Sequence, residues 1–294
     1  MAANKCAYYD RFLEITAKTT SVLSKNQLRC FEHQVAGHGS GEKSKGMLLL
    51  EGGILLKPVQ DYPRGARETG FYEYVFSSSQ NDVVELRRLI PGYFGTVSLP
   101  LVKEYLQLED MTKGFRVPCI LDVKIGKICW DPLAKEDKIK RELSKSALQR
   151  KYGLRILGFK VFNPTRQEYE YFSNADGKAL ITDEQLLNAF VYFLSGASGC
   201  RKTSVLSKIL REMESILQWW EKQRTFLIRA SSLMIIYEGE NRTMAEERAS
   251  DKGIDLLHEV KVKMIDFAHA FECSEKDDNF LEALKELMDL ISKC

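Results

Sequence analysis

The stretch PCILDVKIG, Pro118 to Gly126, is an apolar run broken at only two positions, Asp122 and Lys124. Residues two apart on a strand point to the same face. Burying two charges costs several kcal/mol unless they pair or line a solvated site. The pattern therefore reads as a structural ion pair, or as a carboxylate and an ammonium presented at the floor of a cleft. The segment MIDFAH, Met264 to His269, repeats it, with Asp266 closing an apolar strand before an aromatic. A third intrusion is Lys57, at the end of the strand ILLKP. Three such intrusions, four charges in all, are harder to explain as isolated ion pairs than one.

Working outward from these strands, LLLEGGILLKP reads as a hairpin turning at Gly52-Gly53. After Pro63, Phe71, Tyr72, Val75 and Phe76 recur at helical spacing, and Glu68 lies on the same helix, eleven residues beyond Lys57. A lone lysine–glutamate pair is usually a surface salt bridge worth at most about 1 kcal/mol. A strand lysine held by a helix glutamate is also how protein-kinase-type folds reach ATP phosphates, with an aspartate such as Asp266 holding the metal. The helix VVELRRLI is capped by Asn81-Asp82 and ended by Pro91-Gly92, and YFGTVSLP and EYLQLED read as strands. In the second half, residues 135–149 read as a basic helix and RILGFKVF as a strand. Thr182 to Gln185 forms a capping box before LLNAFVYFL. A long helix from Ser204 to about Arg224 precedes the strand SSLMIIYE, a charged loop over 239–257, the strand VKVKMIDFAH and a closing helix DNFLEALKELMDLI. An amphipathic helix is expected over Tyr9 to Leu23. A β-rich part followed by a mixed part with segregated helices gives an α+β protein of two lobes.

Composition narrows the function. The chain has 294 residues, with 43 Lys and Arg against 41 Asp and Glu, so a basic nucleic-acid coat is not expected. The charge is concentrated, however: Lys135 to Glu168 holds ten basic and four acidic residues, which suggests one local anionic ligand. Lys138, Arg141 and Lys145 share one helical face there. A solvated face is the usual reading of such a pattern, but a polyphosphate would explain cations with few aromatics between them. Seven scattered cysteines with no CxxC pair imply free thiols in a reducing compartment. With four histidines, and His33 and His38 poorly spaced, a zinc site is not expected. No apolar run reaches the ~20 residues of a membrane span, and the acidic, apolar-poor opening MAANKCAYYDRFLE is not expected to act as a secretory signal. The string GASGCRKT, Gly196 to Thr203, has Arg201 where a phosphate loop needs glycine and follows a helix, so it reads as a helix-to-helix turn.

Taken together, PCILDVKIG followed by WDPLA, SSLMIIYEG, MIDFAHAF, HQVAGH at 33–38 and the segment Arg64 to Glu68 resemble the inositol polyphosphate kinase family, in order, from about residue 31 onward. HQVAGH, WDP and LQWWEKQ look most like its multikinase branch, with the hexakisphosphate kinases as the near alternative. The resemblance implies a bilobal, reduced protein-kinase-like (ATP-grasp-like) fold with a short helical substrate-binding insertion. Residues 1–26 would be an extension, 27–110 an N-lobe and 111–294 a C-lobe, with the insertion at about 132–153. It implies Mg²⁺ and ATP as cofactor and co-substrate, and inositol polyphosphates as substrates, with phosphoinositide lipid headgroups as further candidates. It also implies a monomer in the cytoplasm or nucleus. Lys57 resembles the ATP-phosphate lysine and Glu68 its helix partner. Glu109 to Met111 resembles the hinge that reads adenine, and HQVAGHGSG replaces a glycine-rich loop. Asp122 matches the signature aspartate, catalytic or ribose-contacting, and Lys124 the lysine reaching the transferred phosphate. Asp266 resembles the metal ligand, and Arg64, Lys138, Arg141, Lys145 and His269 resemble substrate-phosphate contacts. The insertion departs from the Gln-rich pattern of the branch at Lys140, Arg141 and Glu142, which bears on substrate preference. A non-catalytic inositol-phosphate scaffold is the reading from a different class, but it would not need Asp266.

Overall fold

The computed structural model describes residues 20–22, 28–36, 46–99, 104–197, 200–239 and 259–294, with only the backbone at 20–22 and 200. Short β-branched and leucine-rich runs closed by glycine or proline make strands, and capped amphipathic stretches make helices. The first sheet contains β1 (Thr20–Val22), β2 (Leu28–Cys30), β3 (Leu48–Leu50), β4 (Ile54–Pro58), β5 (Tyr93–Ser98) and β6 (Glu104–Glu109). Its order is β1-β5-β6-β4-β3-β2. The helices α1 (Arg64–Ser77) and α2 (Asn81–Leu86) run between β4 and β5.

The second sheet starts at β7 (Pro118–Ile125). After α3 (Glu136–Leu143) and α4 (Ala147–Tyr152) come β8 (Leu154–Asn163) and β9 (Glu168–Phe172). Then follow α5 (Asn174–Ala179), α6 (Asp183–Phe193), α7 (Cys200–Lys222), β10 (Phe226–Ile228), β11 (Ser232–Glu238), β12 (Val260–Ile265), β13 (Ala270–Glu272) and α8 (Asp278–Ser292). The sheet order is β12-β11-β7-β8-β9, antiparallel throughout, and β10 pairs with β13 apart from it. The α+β class read from the sequence is the class observed.

One core joins the two sheets. The apolar face of α1 leaves the first sheet and packs into the second half, with Phe71 stacked on Phe267 at 4.3 Å and edge-on to Phe226 at 5.5 Å. Tyr72 meets the same Phe267 ring edge-on. The pairs fix α1 against the segment that carries Asp266, because aromatic contacts prefer such offset and T-shaped geometries.

Three local expectations are corrected. The basic helix over 135–149 is two helices. Ser144 donates its hydroxyl to the Arg141 carbonyl, Ser146 caps α4 by accepting from the Gln149 amide, and Lys145 falls in the break. The hairpin turns through Glu51 as well as Gly52 and Gly53, whose φ values of 95° and 87° suit glycine. Within the helix expected over Tyr9 to Leu23, Thr20–Val22 form a strand parallel to β5, as β-branched residues favour, while residues 9–19 lie outside those described. The 239–257 loop is described only at Gly239, and HQVAGHGSG only through Ala36. All five cysteines with described side chains are free.

Gly158 on β8 lies opposite Asp122, and a Cβ there would sit 2.1 Å from the Val35 carbonyl oxygen. The close approach lets the 33–36 segment rest on β8. Gly158→Ala should lower the thermal midpoint by several degrees, since overpacking costs about 1–3 kcal/mol. An unchanged midpoint would mean that this segment does not rest there in solution.

Candidate active site

Four elements converge on one cavity of about 1080 Å³ between the two sheets. Lys57 closes β4 and reaches Glu68 Oε1 on α1 at 2.7 Å and Asp266 Oδ1 after β12 at 2.5 Å. Glu68 is fully buried, and its Oε1 also accepts the Phe267 amide. Burial alone would lower the lysine, but Asp266 and Glu68 outweigh it and hold Lys57 above its ordinary value. Burial opposes ionisation of Asp266 too, yet Lys57, then Lys124 and His269, keep that carboxyl below its usual range.

Asp266 takes φ of 65°, in the left-handed region that few residues except glycine occupy readily. Aspartate tolerates it better than most side chains. Two other described residues share that region, Gln167 in the turn between β8 and β9 and Ala230 at φ 54°, and the Ala230 carbonyl accepts Lys124 Nζ at 3.0 Å. Two strained residues thus flank the cleft floor, and strain of this kind concentrates where chemistry is done.

Asp122 lies on β7 between Met234 of β11 and Gly158 of β8, and is 5% exposed. Its Oδ1 has no protein partner. Burial, and then the neighbouring Asp266 charge, push its carboxyl up to about 7, with the Ser232 hydroxyl, Lys124 and Lys57 pulling the other way. A buried carboxylate with an unmatched oxygen costs stability unless something outside the chain satisfies it.

The other candidate residues divide. Arg64 lies exposed at the start of α1 and lines the cavity, as do Glu109, Met111 and His269. Glu109 accepts the Gly92 amide and pairs with Lys261 at 3.2 Å, so its side chain is engaged within the protein. Met111 is buried. Lys138, Arg141 and Lys145 do not line the cavity. Arg141 is exposed on α3, and Lys145 pairs with Glu142 at 2.7 Å. Lys138 stands 3.6 Å from Asp131.

Asp131, within the WDPLA segment, was given no role by the sequence. It bonds His269 Nδ1 at 3.0 Å, and that bond, with Lys138 close by, holds its carboxyl at about 2. Arg67 is likewise a gap in the sequence reading: it is buried, donates to the Ala268 carbonyl and lies 4.5 Å over the Phe271 ring. Its place one residue before Glu68 on a helix gave no signal, because its partners come from 201 residues away.

The family model described as inositol polyphosphate kinase matches residues 105–292. The human inositol polyphosphate multikinase is 38% identical over 228 residues, covering 73% of this chain and 54% of that protein. The Arabidopsis thaliana inositol polyphosphate multikinase beta is 29% identical over 292 residues, covering 90% of this chain and 92% of that protein. The chain thus spans little more than half the length of its mammalian relatives and nearly all of the plant one. Among solved structures, the inositol phosphate multikinase Ipk2 of S. cerevisiae in complex with ADP and Mn²⁺ superposes with a TM-score of 0.66 at 25% identity, covering 82% of this chain and 99% of that one.

The elevated Asp122 carboxyl makes a stability prediction. An acid raised in the folded state binds more protons folded than unfolded between about pH 4 and 7, so its contribution falls as pH rises through that window. Asp122→Asn, which cannot titrate, should therefore gain on the wild type as pH rises from 4 to 7, by at most roughly 4 kcal/mol. Denaturant unfolding across that range measures it. A difference that stays constant with pH would contradict the burial of an ionisable Asp122.

Proposed function

The chain belongs to the inositol polyphosphate kinase family, and from that premise we propose that it transfers the γ-phosphate of ATP to a hydroxyl of an inositol polyphosphate. The observation that carries this reading is the meeting of Lys57, Glu68 and Asp266, from three separate segments, with Lys57 and Asp266 lining a cleft floored by Asp122 and Lys124 and Glu68 buried behind them. A binding scaffold has no use for a strained acid beside a buried, unmatched carboxylate.

The residues fit a divalent ion of the Mg²⁺ kind. Such an ion takes one or two carboxylates and completes its shell with substrate phosphates. Asp266 and the free Oδ1 of Asp122, close enough for their charges to interact, offer that donor set. Among the described residues no three His, Cys, Asp or Glu side chains cluster as an all-protein cage. Bound there, the ion offsets charge on the transferring group.

The chain's own residues do the rest. Lys57, braced by Glu68, presents an ammonium to nucleotide phosphates, and Lys124 presents a second from the floor. Asp122 orients the acceptor hydroxyl, or takes its proton late in a loose transition state. His269, which lines the cleft, and Lys138, held together by Asp131, with Arg64 at the cleft and Arg141 exposed on α3, supply hydrogen-bond donors for the other phosphates of the substrate. Phosphoinositide headgroups carry the same phosphates and are further candidate substrates. No helix among the described residues is long and apolar enough to cross a membrane.

The test is incubation with Mg-ATP and a panel of inositol phosphates, with a vesicle arm for phosphoinositides, resolved by chromatography. Asp266→Asn should lower kcat at least about 100-fold with the fold retained. Lys138→Ala with Arg141→Ala should raise KM for the inositol phosphate roughly tenfold or more and leave KM for ATP unchanged, since each charge-assisted contact is worth about 1.5–3 kcal/mol. Near-normal turnover of Asp266→Asn at saturating Mg²⁺ would refute the assignment.

A further inference from the structure

Lys160 on β8 is 2% exposed, yet no carboxylate among the described residues pairs with it. Its ammonium stands 4.1 Å over the Tyr169 ring, and its hydrogen bond goes to another base, His33 Nδ1, at 2.5 Å. An ammonium can only donate, so Nδ1 must accept, and the imidazole is neutral with its proton on Nε2. Burial lowers Lys160 to about 8, and burial with the Lys160 charge lowers His33, so near pH 7 the lysine carries the charge and the imidazole does not.

His33 lines the same cleft as Glu109, Met111 and Thr112. Its ring is braced edge-on by Phe31 at 5.8 Å, and Val35 rests on Gly158 two residues later. Packing does not explain the pair. A buried ammonium without a carboxylate costs stability, and a methionine of similar length would fill the space without that cost. Lys160 itself does not line the cleft but stands behind His33, which does, and a charge kept at such expense against a cleft residue marks a functional group.

We propose that His33 selects the nucleotide, its Nε2–H donating to an acceptor on the nucleoside, and that Lys160 is the positioning residue that fixes the imidazole tautomer. The proposal rests on reading the cleft as a nucleotide site. Neither residue belongs to the Lys57, Asp122 and Asp266 cluster, so their role is discrimination of the nucleoside and not transfer.

Titration calorimetry with Mg-ADP tests it on the full chain. His33→Phe and Lys160→Met should each weaken ADP roughly three- to tenfold, the effect of one lost hydrogen bond. Lys160→Arg, which still donates to Nδ1, should bind ADP like the wild type. The double variant His33→Phe/Lys160→Met should be no weaker than His33→Phe alone, because both changes remove one interaction. The thermal midpoint of Lys160→Met should stay level or rise, and KM for the inositol phosphate should not move. Among 2′-deoxy-, 3′-deoxy- and 7-deaza-ADP, the analogue lacking the acceptor should bind wild type and His33→Phe equally, which tells a ribose hydroxyl from the base. ADP binding unchanged in His33→Phe, or weakened in Lys160→Met only together with a fallen midpoint, overturns the proposal and leaves the nucleotide site standing. Failure of the wild type to bind ADP would overturn both.

Discussion

One ammonium holds the two halves of this protein in register. Lys57 ends a strand of the first sheet, Glu68 sits on the helix that crosses to the second, and Asp266 follows a strand 209 residues later in the chain. Removing Lys57 strands the fully buried Glu68, which costs about 3–5 kcal/mol, far more than an exposed pair is worth, whereas the Asp266 side chain is 40% exposed and its arm of the cluster is partly screened. The cluster therefore fixes where α1 packs, and with it Phe71 and Tyr72 against Phe267. The same contacts that join the lobes set the distance across which a phosphoryl group would pass.

That economy has a counterpart on the cleft floor. Asp122 keeps an oxygen without a protein partner, and Asp266 and Ala230 sit in left-handed backbone. None of these features helps the fold. Under the proposed function each would become favourable once phosphates and a cation fill the cleft, which is how a binding site differs from a core.

Much of this was legible in the sequence because it rested on local pattern. Charges inside apolar strands at Lys57, Asp122, Lys124 and Asp266 are visible in a single chain, and so is the helical spacing of Phe71, Tyr72 and Val75. What escaped depended on contacts between distant segments. Asp131 bridges His269 and Lys138 only because a loop folds back over 138 residues, and the sequence offers nothing to link them. The split of the basic helix turned on serines competing for backbone groups, a weak local effect that periodicity overrode in the reading. The pairing of His33 with Lys160, two bases at hydrogen-bond distance, runs against charge intuition and is found only in three dimensions.

The central claim, that the Lys57 cluster is a single buried interaction holding the cleft, is tested most directly by a double-mutant cycle in denaturant unfolding. Lys57→Met, Glu68→Gln and the pair are compared with the wild type. The account requires the double variant to be more stable than the two separate losses would give, with a coupling of at least about 1 kcal/mol, because Lys57→Met alone strands a buried glutamate that Glu68→Gln makes neutral. Losses that simply add, within about 0.5 kcal/mol, would show two independent surface charges and contradict it.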